Sequence, residues 1–254
     1  MRFGNCTTDP SLLNVMRQYS YSFAEADFQS IGGMSDDKYD DLSQAVKSTG
    51  ITIAGLNCFA SAEVRFLTWS DHEAATYFEQ GVRRAKPFGL EYVVIGSGKA
   101  RSIPDGMSRE EGLSRLTELL RLFGDIAERY DIEVYLEPLR HFETDVINTV
   151  KEAAELCKRV GHPRVGCMAD FYHMAMVEEP FLDIVETEGY LRHIHIATAP
   201  ERTIPVAADA AQVESMVSVL KSCHYRGRIV LEGGGKPDMD TALREFSCYF
   251  PKFQ

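Results

Sequence analysis

Four short segments in the second half of the chain run through apolar or β-branched residues into a side chain that can bind a metal ion. They are Tyr135-Leu136-Glu137-Pro138, Met168-Ala169-Asp170-Phe171-Tyr172-His173, His193-Ile194-His195-Ile196 and Val230-Leu231-Glu232-Gly233. Two Glu, one Asp and one His make a hard-to-borderline donor set for one divalent cation. Mn²⁺ is the first candidate, with Mg²⁺, Co²⁺ or Zn²⁺ as alternatives. Two carboxylates at one site can also pass protons. Any single acid of this set is more simply read as a helix N-cap or half of a salt bridge. That reading weakens when four successive segments repeat the pattern. A charge placed straight after a hydrophobic run is costly to bury unpaired, and a cation would offset the cost.

Such residues work together only if the elements before them converge. Eight strand candidates can be read along the chain: Arg2–Cys6, Tyr21–Ala26, Ile51–Asn57, Tyr92–Gly96, Ile132–Glu137, Val165–Asp170, His193–Ala197 and Arg228–Glu232. The later ones are rich in Val, Ile, Leu and Tyr, as buried parallel strands are. Amphipathic stretches fill the gaps. In Ser108–Tyr130 the residues Leu113, Leu116, Leu119, Leu120 and Phe123 recur at helical spacing, and Ser108 with Glu111 fits a capping box. Ser70–Lys86, Thr149–Val160 (stopped by Gly161), Ala210–Ser222 and Asp238–Phe250 complete the set. Strand–helix units of about thirty residues predict a single α/β domain over residues 1–254, a (β/α)₈ TIM barrel with its active site at the C-terminal strand ends. The four ligand candidates are 33, 25 and 37 residues apart, the spacing of neighbouring units. A doubly wound open sheet is the competitor, but no glycine-rich turn follows the first strand.

Composition narrows the function. The chain has 254 residues, 44% hydrophobic and 26% charged, with a net charge of −11. That acidity argues against a nucleic-acid partner, which needs a basic surface. No run of 18 apolar residues and no signal-peptide core are found, so a cytoplasmic protein without a membrane partner is expected. The six cysteines are scattered without a Cys-x-x-Cys pair and are expected to be reduced, mostly core residues. His193 and His195 lie two apart, on one side of a strand, and His193 is expected to be a hydrogen-bonded core histidine. His173 is either a solvated helix-start residue or a cleft residue. Lys99 and Arg101, after Gly96-Ser97-Gly98, read as a solvated loop, with phosphate binding as the alternative. The aromatic tail Tyr249–Phe253 is expected to pack on the chain's own barrel.

Taken together, these motifs resemble the xylose-isomerase-like sugar isomerase/epimerase superfamily, and most of all ketose 3-epimerases of the tagatose/psicose (allulose) type. The resemblance rests on the second half of the chain. It implies one metal held by Glu137, Asp170, His195 and Glu232, with Glu137 and Glu232 as the catalytic proton carriers. It implies substrate contacts from His173 in Asp170-x-x-His173, from Glu143 in Glu137-x5-Glu143, and from Arg202 in Arg202-Thr203-Ile204-Pro205. It also implies a small-molecule sugar substrate and a homodimer or homotetramer. The chain departs from the family pattern at Arg140-His141, where the family carries Asn-Arg, and in a short Thr198–Ala208 loop that shifts the arginine by one residue.

The chemistry implied is removal of a proton beside a metal-polarised carbonyl to give a cis-enediolate, then its return to the opposite face or the adjacent carbon. The same enolate chemistry would let a lyase or dehydratase expel a leaving group, for example from a 3-oxo-glycoside. An apurinic endonuclease of this fold would need further histidine ligands and a basic face, and the chain has only seven histidines. A non-catalytic binding barrel is the remaining alternative.

Overall fold

The computed structural model describes residues 1–187 and 189–254. Eight parallel strands close into a barrel in chain order. They are β1 (Arg2–Cys6), β2 (Phe23–Asp27), β3 (Thr52–Asn57), β4 (Tyr92–Ile95), β5 (Glu133–Leu136), β6 (Val165–Asp170), β7 (Leu191–Ile196) and β8 (Arg228–Leu231). β8 pairs with β1, so no sheet edge is left and the open-sheet alternative is excluded. Strand bounds lie within two residues of those read from the sequence.

Strand periodicity decides what each residue faces. On β5, β6, β7 and β8, Val134 and Leu136, Cys167 and Ala169, Ile194 and Ile196, and Ile229 and Leu231 belong to the large core between barrel and helices. The alternate residues Tyr135, Met168 and Val230 belong to a separate cluster inside the barrel, together with Phe23, Ala54, Tyr92 and Val94. Continuing that alternation carries Glu137, Asp170 and Glu232 into the interior, one layer nearer the C-terminal ends. Below them the layer is aromatic: Tyr92 stacks on Tyr135 at 5.0 Å and meets the His193 ring at a tilt at 4.6 Å. Gly55 makes room for it, since a Cβ there would lie 2.3 Å from the Tyr92 ring.

The surrounding helices are α1 (Pro10–Gln18), α2 (Phe28–Gly33), α3 (Asp36–Thr49), α4 (Asp71–Ala85), α5 (Gly98–Arg101), α6 (Arg109–Arg129), α7 (Val150–Val160), α8 (Phe171–Met176), α9 (Ala210–Ser222), α10 (Met239–Ser247) and α11 (Phe250–Phe253). Capping boxes form at Ser70–Glu73 and Ser108–Glu111, and Gly161 ends α7 in the left-handed region at φ 65°. The apolar stripe of α6 is buried as expected: Phe123 stacks on Phe78 of α4 at 4.7 Å, and its burial stabilises the fold by about 2 kcal/mol.

Two details differ from expectation, and one link carries little helix. The link from β6 to β7, where no amphipathic stretch is read in the sequence, holds among the described residues the single turn-and-a-half of α8 and a 3₁₀ segment, Phe181–Thr187. Glu178-Glu179-Pro180 interrupts any helical apolar stripe there. The predicted Asp238–Phe250 helix divides into α10 and α11, with Pro251 in the first turn of α11. Only Cys157 and Cys167 are buried; Cys58 and Cys248 are exposed, and Cys6 and Cys223 are partly so. All six are free, but the expectation that most sit in the core is corrected. The aromatic tail does pack on its own barrel, with Phe250 stacked on Phe3 at 3.9 Å and Phe253 fully buried.

Candidate metal centre

The four segments singled out in the sequence converge. One donor atom each from Glu137, Asp170, His195 and Glu232 lies within 4.8 Å of all the others. Asp170 and His195 are directly paired across β6 and β7. Glu137 and Glu232 stand one residue beyond β5 and β8, yet their amides still bond to Ile95 and Ile196. The ladder therefore fixes all four backbones, which sites on rigid strands require.

The side chains are only partly satisfied by hydrogen bonds. Asp170 Oδ1 accepts from the Tyr172 amide at 2.8 Å, while Oδ2 is buried without a hydrogen-bond partner. Glu137 Oε1 is likewise buried and unpartnered. Glu232 Oε1 accepts from Asn57 Nδ2 at 3.2 Å, and its Oε2 accepts from Arg202 Nη2 at 2.7 Å. His195 Nδ1 lies 3.3 Å from Glu232 Oε2 and 3.8 Å from Glu137 Oε1. Buried acceptors without donors are rare and call for an explanation. Three carboxylates and an imidazole with open lone pairs fit a divalent cation.

A second cluster, Cys6, Glu25 and His195, also has metal-ligating atoms in reach. Its atoms are already engaged. Glu25 accepts from Tyr92 Oη at 2.8 Å, and His193 Nε2 and His195 Nε2 lie at 3.1 and 3.0 Å from its oxygens. Cys6 Sγ accepts from Asn57 Nδ2 at 3.1 Å. The free lone pairs mark the outer cluster as the better cation site.

Electrostatics of the bare site agree. Burial, then the neighbouring Glu232 charge, pushes the Glu137 carboxyl well above its ordinary range. The same two causes push Asp170 up to about 6. For Glu232 burial acts upward too, but His195 and Arg202 outweigh it and hold the carboxyl down at about 2. Two carboxyls that resist ionisation beside a third that is held ionised are what a dication would relieve.

The remaining predicted residues take different places. His173 is a cleft residue, 2% exposed, with Nε2 unpartnered and 3.7 Å from Asp170 Oδ2. Burial, then Arg202, lowers its pKa to about 4, so it is neutral at pH 7. Arg202 reaches the acids despite its shifted position, from a left-handed backbone at φ 53°. Its guanidinium also lies 4.9 Å from the centre of the Tyr172 ring. Glu143 does not join the cluster: Arg140 Nε bonds its carboxylate at 2.7 Å. Arg140 in turn donates to Tyr172 Oη at 2.6 Å, so two guanidiniums hold one tyrosine at the mouth. The solvated-loop reading of Lys99 and Arg101 is corrected for Arg101. It is fully buried in α5, donates to the Ile95 carbonyl at 2.8 Å, and leaves Nε and Nη2 unpartnered. Burial lowers its pKa to about 10, against the pull of Glu137 and Glu143.

Sequence reasoning did not single out Glu25, Asn57 or Tyr172. Glu25 had one signal, an acid inside the otherwise apolar Phe23-Ala24-Glu25-Ala26. His193 is the hydrogen-bonded core histidine expected of it.

A closed parallel eight-stranded barrel with acids and a histidine at four successive strand ends defines a TIM barrel with its candidate site at the C-terminal face. The chain belongs to the xylose isomerase-like TIM barrel family, whose model matches residues 14–247. It is similar to a D-psicose 3-epimerase of Ruminiclostridium cellulolyticum, 32% identical over 119 residues that cover 46% of this chain and 40% of the relative. The matched segment therefore spans less than half the length of that relative. Among solved structures, a D-psicose 3-epimerase with D-tagatose from Clostridium cellulolyticum H10 superposes with a TM-score of 0.81 at 21% identity, covering 100% of this chain and 98% of the other. A 3-keto-D-glucoside 4-epimerase from E. coli, without ligand, superposes with a TM-score of 0.78 at 18% identity, covering 98% of both. No helix of the described residues is long and apolar enough to cross a membrane.

Proposed function

We propose that this chain is a divalent-metal-dependent sugar epimerase or isomerase acting on a ketose or a related hydroxy-carbonyl sugar. The observation that carries the reading is the convergence of Glu137, Asp170, His195 and Glu232, with buried acceptor atoms left open. The relatives named as sugar epimerases support the choice of reaction class. Glu137, Asp170, His195 and Glu232 would hold the cation, with Mn²⁺ the first candidate. When bound, the ion supplies Lewis-acid polarisation of a carbonyl and its neighbouring hydroxyl.

The rest is the work of side chains. Glu137 and Glu232 exchange the proton at the carbon beside the carbonyl: one removes it to leave a cis-enediolate, the other returns it. Arg202, bonded to Glu232, keeps that carboxylate ionised and offers positive charge to substrate oxygens. His173, neutral and buried, donates or accepts a hydrogen bond there. Tyr172, between Arg140 and Arg202, closes one wall and limits water. Glu143 acts through Arg140 at the rim.

The test is incubation with a panel of ketoses and 3-oxo-glycosides in D₂O, with added Mn²⁺ and after chelation. Metal-dependent deuterium uptake at a carbon beside the carbonyl, in a product of unchanged carbon skeleton, is expected. Glu137→Gln and Glu232→Gln should each reduce it at least about 10³-fold, as loss of a proton-transfer group does. Cleaved or dehydrated product would move the assignment to a lyase. Turnover surviving both substitutions would refute the two-glutamate mechanism.

A further inference from the structure

His195 can ligate a metal through Nδ1 only if its proton sits on Nε2, and the chain builds a device that places it there. Glu25, from β2 on the far side of the barrel interior, is fully buried and faces His195 Nε2 with both oxygens, at 3.0 and 3.2 Å. A carboxylate only accepts, so the imidazole must be the donor. Glu25 Oε2 also takes the Tyr92 hydroxyl at 2.8 Å and faces His193 Nε2 at 3.1 Å. His193 Nδ1 has no partner, which fits the same tautomer on that ring. Three donors thus converge on one carboxylate beneath the four candidate ligands.

We infer that Glu25 is a positioning residue: it keeps a proton on His195 Nε2, aims Nδ1 at Glu137 and Glu232, and so presets the orientation of the ring before any ion arrives. This inference rests on the metal-centre reading above. The geometry makes an isosteric change informative. Glutamine has one accepting oxygen and an NH₂ group where glutamate has two acceptors. It cannot accept from Tyr92, His193 and His195 together, and its NH₂ must face at least one N–H or O–H. The Tyr92 hydroxyl can turn to accept from that NH₂, whereas an imidazole facing it must move its proton to Nδ1. For His195 this blocks the lone pair the metal needs. Partners of this kind behind a metal-binding histidine are worth about 10–100-fold in metal affinity.

The experiment combines Mn²⁺ titration with ¹⁵N NMR of histidine-labelled, metal-free protein, the His195 ring being assigned with the help of H193Q. The wild type should bind one Mn²⁺ and show a proton on His195 Nε2. E25Q, with an unchanged circular dichroism spectrum, should bind Mn²⁺ about 10–100-fold more weakly and show His195 Nε2 wholly or partly without its proton. An E25Q affinity within about 3-fold of wild type, with the tautomer unchanged, overturns the role of Glu25 and leaves the metal centre standing. No Mn²⁺ or other divalent binding by the wild type overturns the metal-centre reading itself. If E25Q does not fold, the wild-type spectrum decides: a proton on His195 Nε2 supports the inference, and its absence there overturns it.

Discussion

Gly96 gives the sharpest separation between stability and site geometry. It directly follows β4, and a Cβ placed on it would lie 2.1 Å from Glu137 Oε2. Ordinary contact begins near 3.4 Å, so Gly96→Ala must push that carboxylate away by about 1.3 Å. Gly96 is not among the glycines in the left-handed region, so alanine fits the backbone. The clashing atom is the end of a side chain, which can turn aside at small cost. Alanine also narrows the unfolded ensemble, worth about 0.4–1 kcal/mol in favour of folding. Stability should therefore stay within about 1 kcal/mol of wild type, measured by urea unfolding. Function should not survive so well. A displacement near 1 Å at a reacting group costs about 10²-fold in rate, and a misplaced ligand weakens the cation to a similar degree. The assay is Mn²⁺ affinity alongside metal-dependent deuterium exchange. A variant that is as stable as wild type and binds Mn²⁺ within about 3-fold of it would show that Glu137 is not a ligand in the position described. A grossly unfolded variant would refute the claim that only the carboxylate has to move.

Two further outcomes follow from the charges. Metal should act on folding as well as on turnover: Mn²⁺ at 100 times its Kd adds about 2.7 kcal/mol, a rise in Tm of roughly 5–10 °C for a chain of this size that a chelator reverses. Away from the site, Glu179 is pushed up to about 7 by burial, although it accepts from the Val150 amide at 2.9 Å at the start of α7. Its folded pKa lies above the ordinary 4.5, so the folded state holds the extra proton between those values. Its contribution is then lost as pH rises from about 4.5 to 7. E179Q should gain stability over wild type across that window, on the order of 2 kcal/mol by pH 8 after allowing for residual solvation, and should match it near pH 4. Equal urea midpoints at both pH values would refute the assignment.

What the sequence makes legible here is what is local. Glu137, Asp170, His195 and Glu232 each close a strand whose alternation is visible in the chain itself, and parity alone carries them inward. Capping boxes at Ser70 and Ser108 are equally local, because donor and acceptor lie three residues apart. Glu25 is different. Its partners Tyr92, His193 and His195 are 67, 168 and 170 residues away. Only closure of the barrel, which brings β2 to face β7 across the interior, makes an acid in a short strand into a carboxylate with three donors. Arg101 escaped for the same reason: nothing near Gly98-Lys99-Ala100-Arg101 marks a buried cation, whose electrostatic counterparts Glu137 and Glu143 lie in the next strand–helix unit. The departure at Arg140 could be seen in the sequence but not its effect. In the fold it pairs with Glu143 and shares Tyr172 with Arg202. Alternation along a strand thus reveals which residues enter the site. The polar groups beneath and around them are set by pairings across the barrel, and these fix which atom of each candidate ligand stays free.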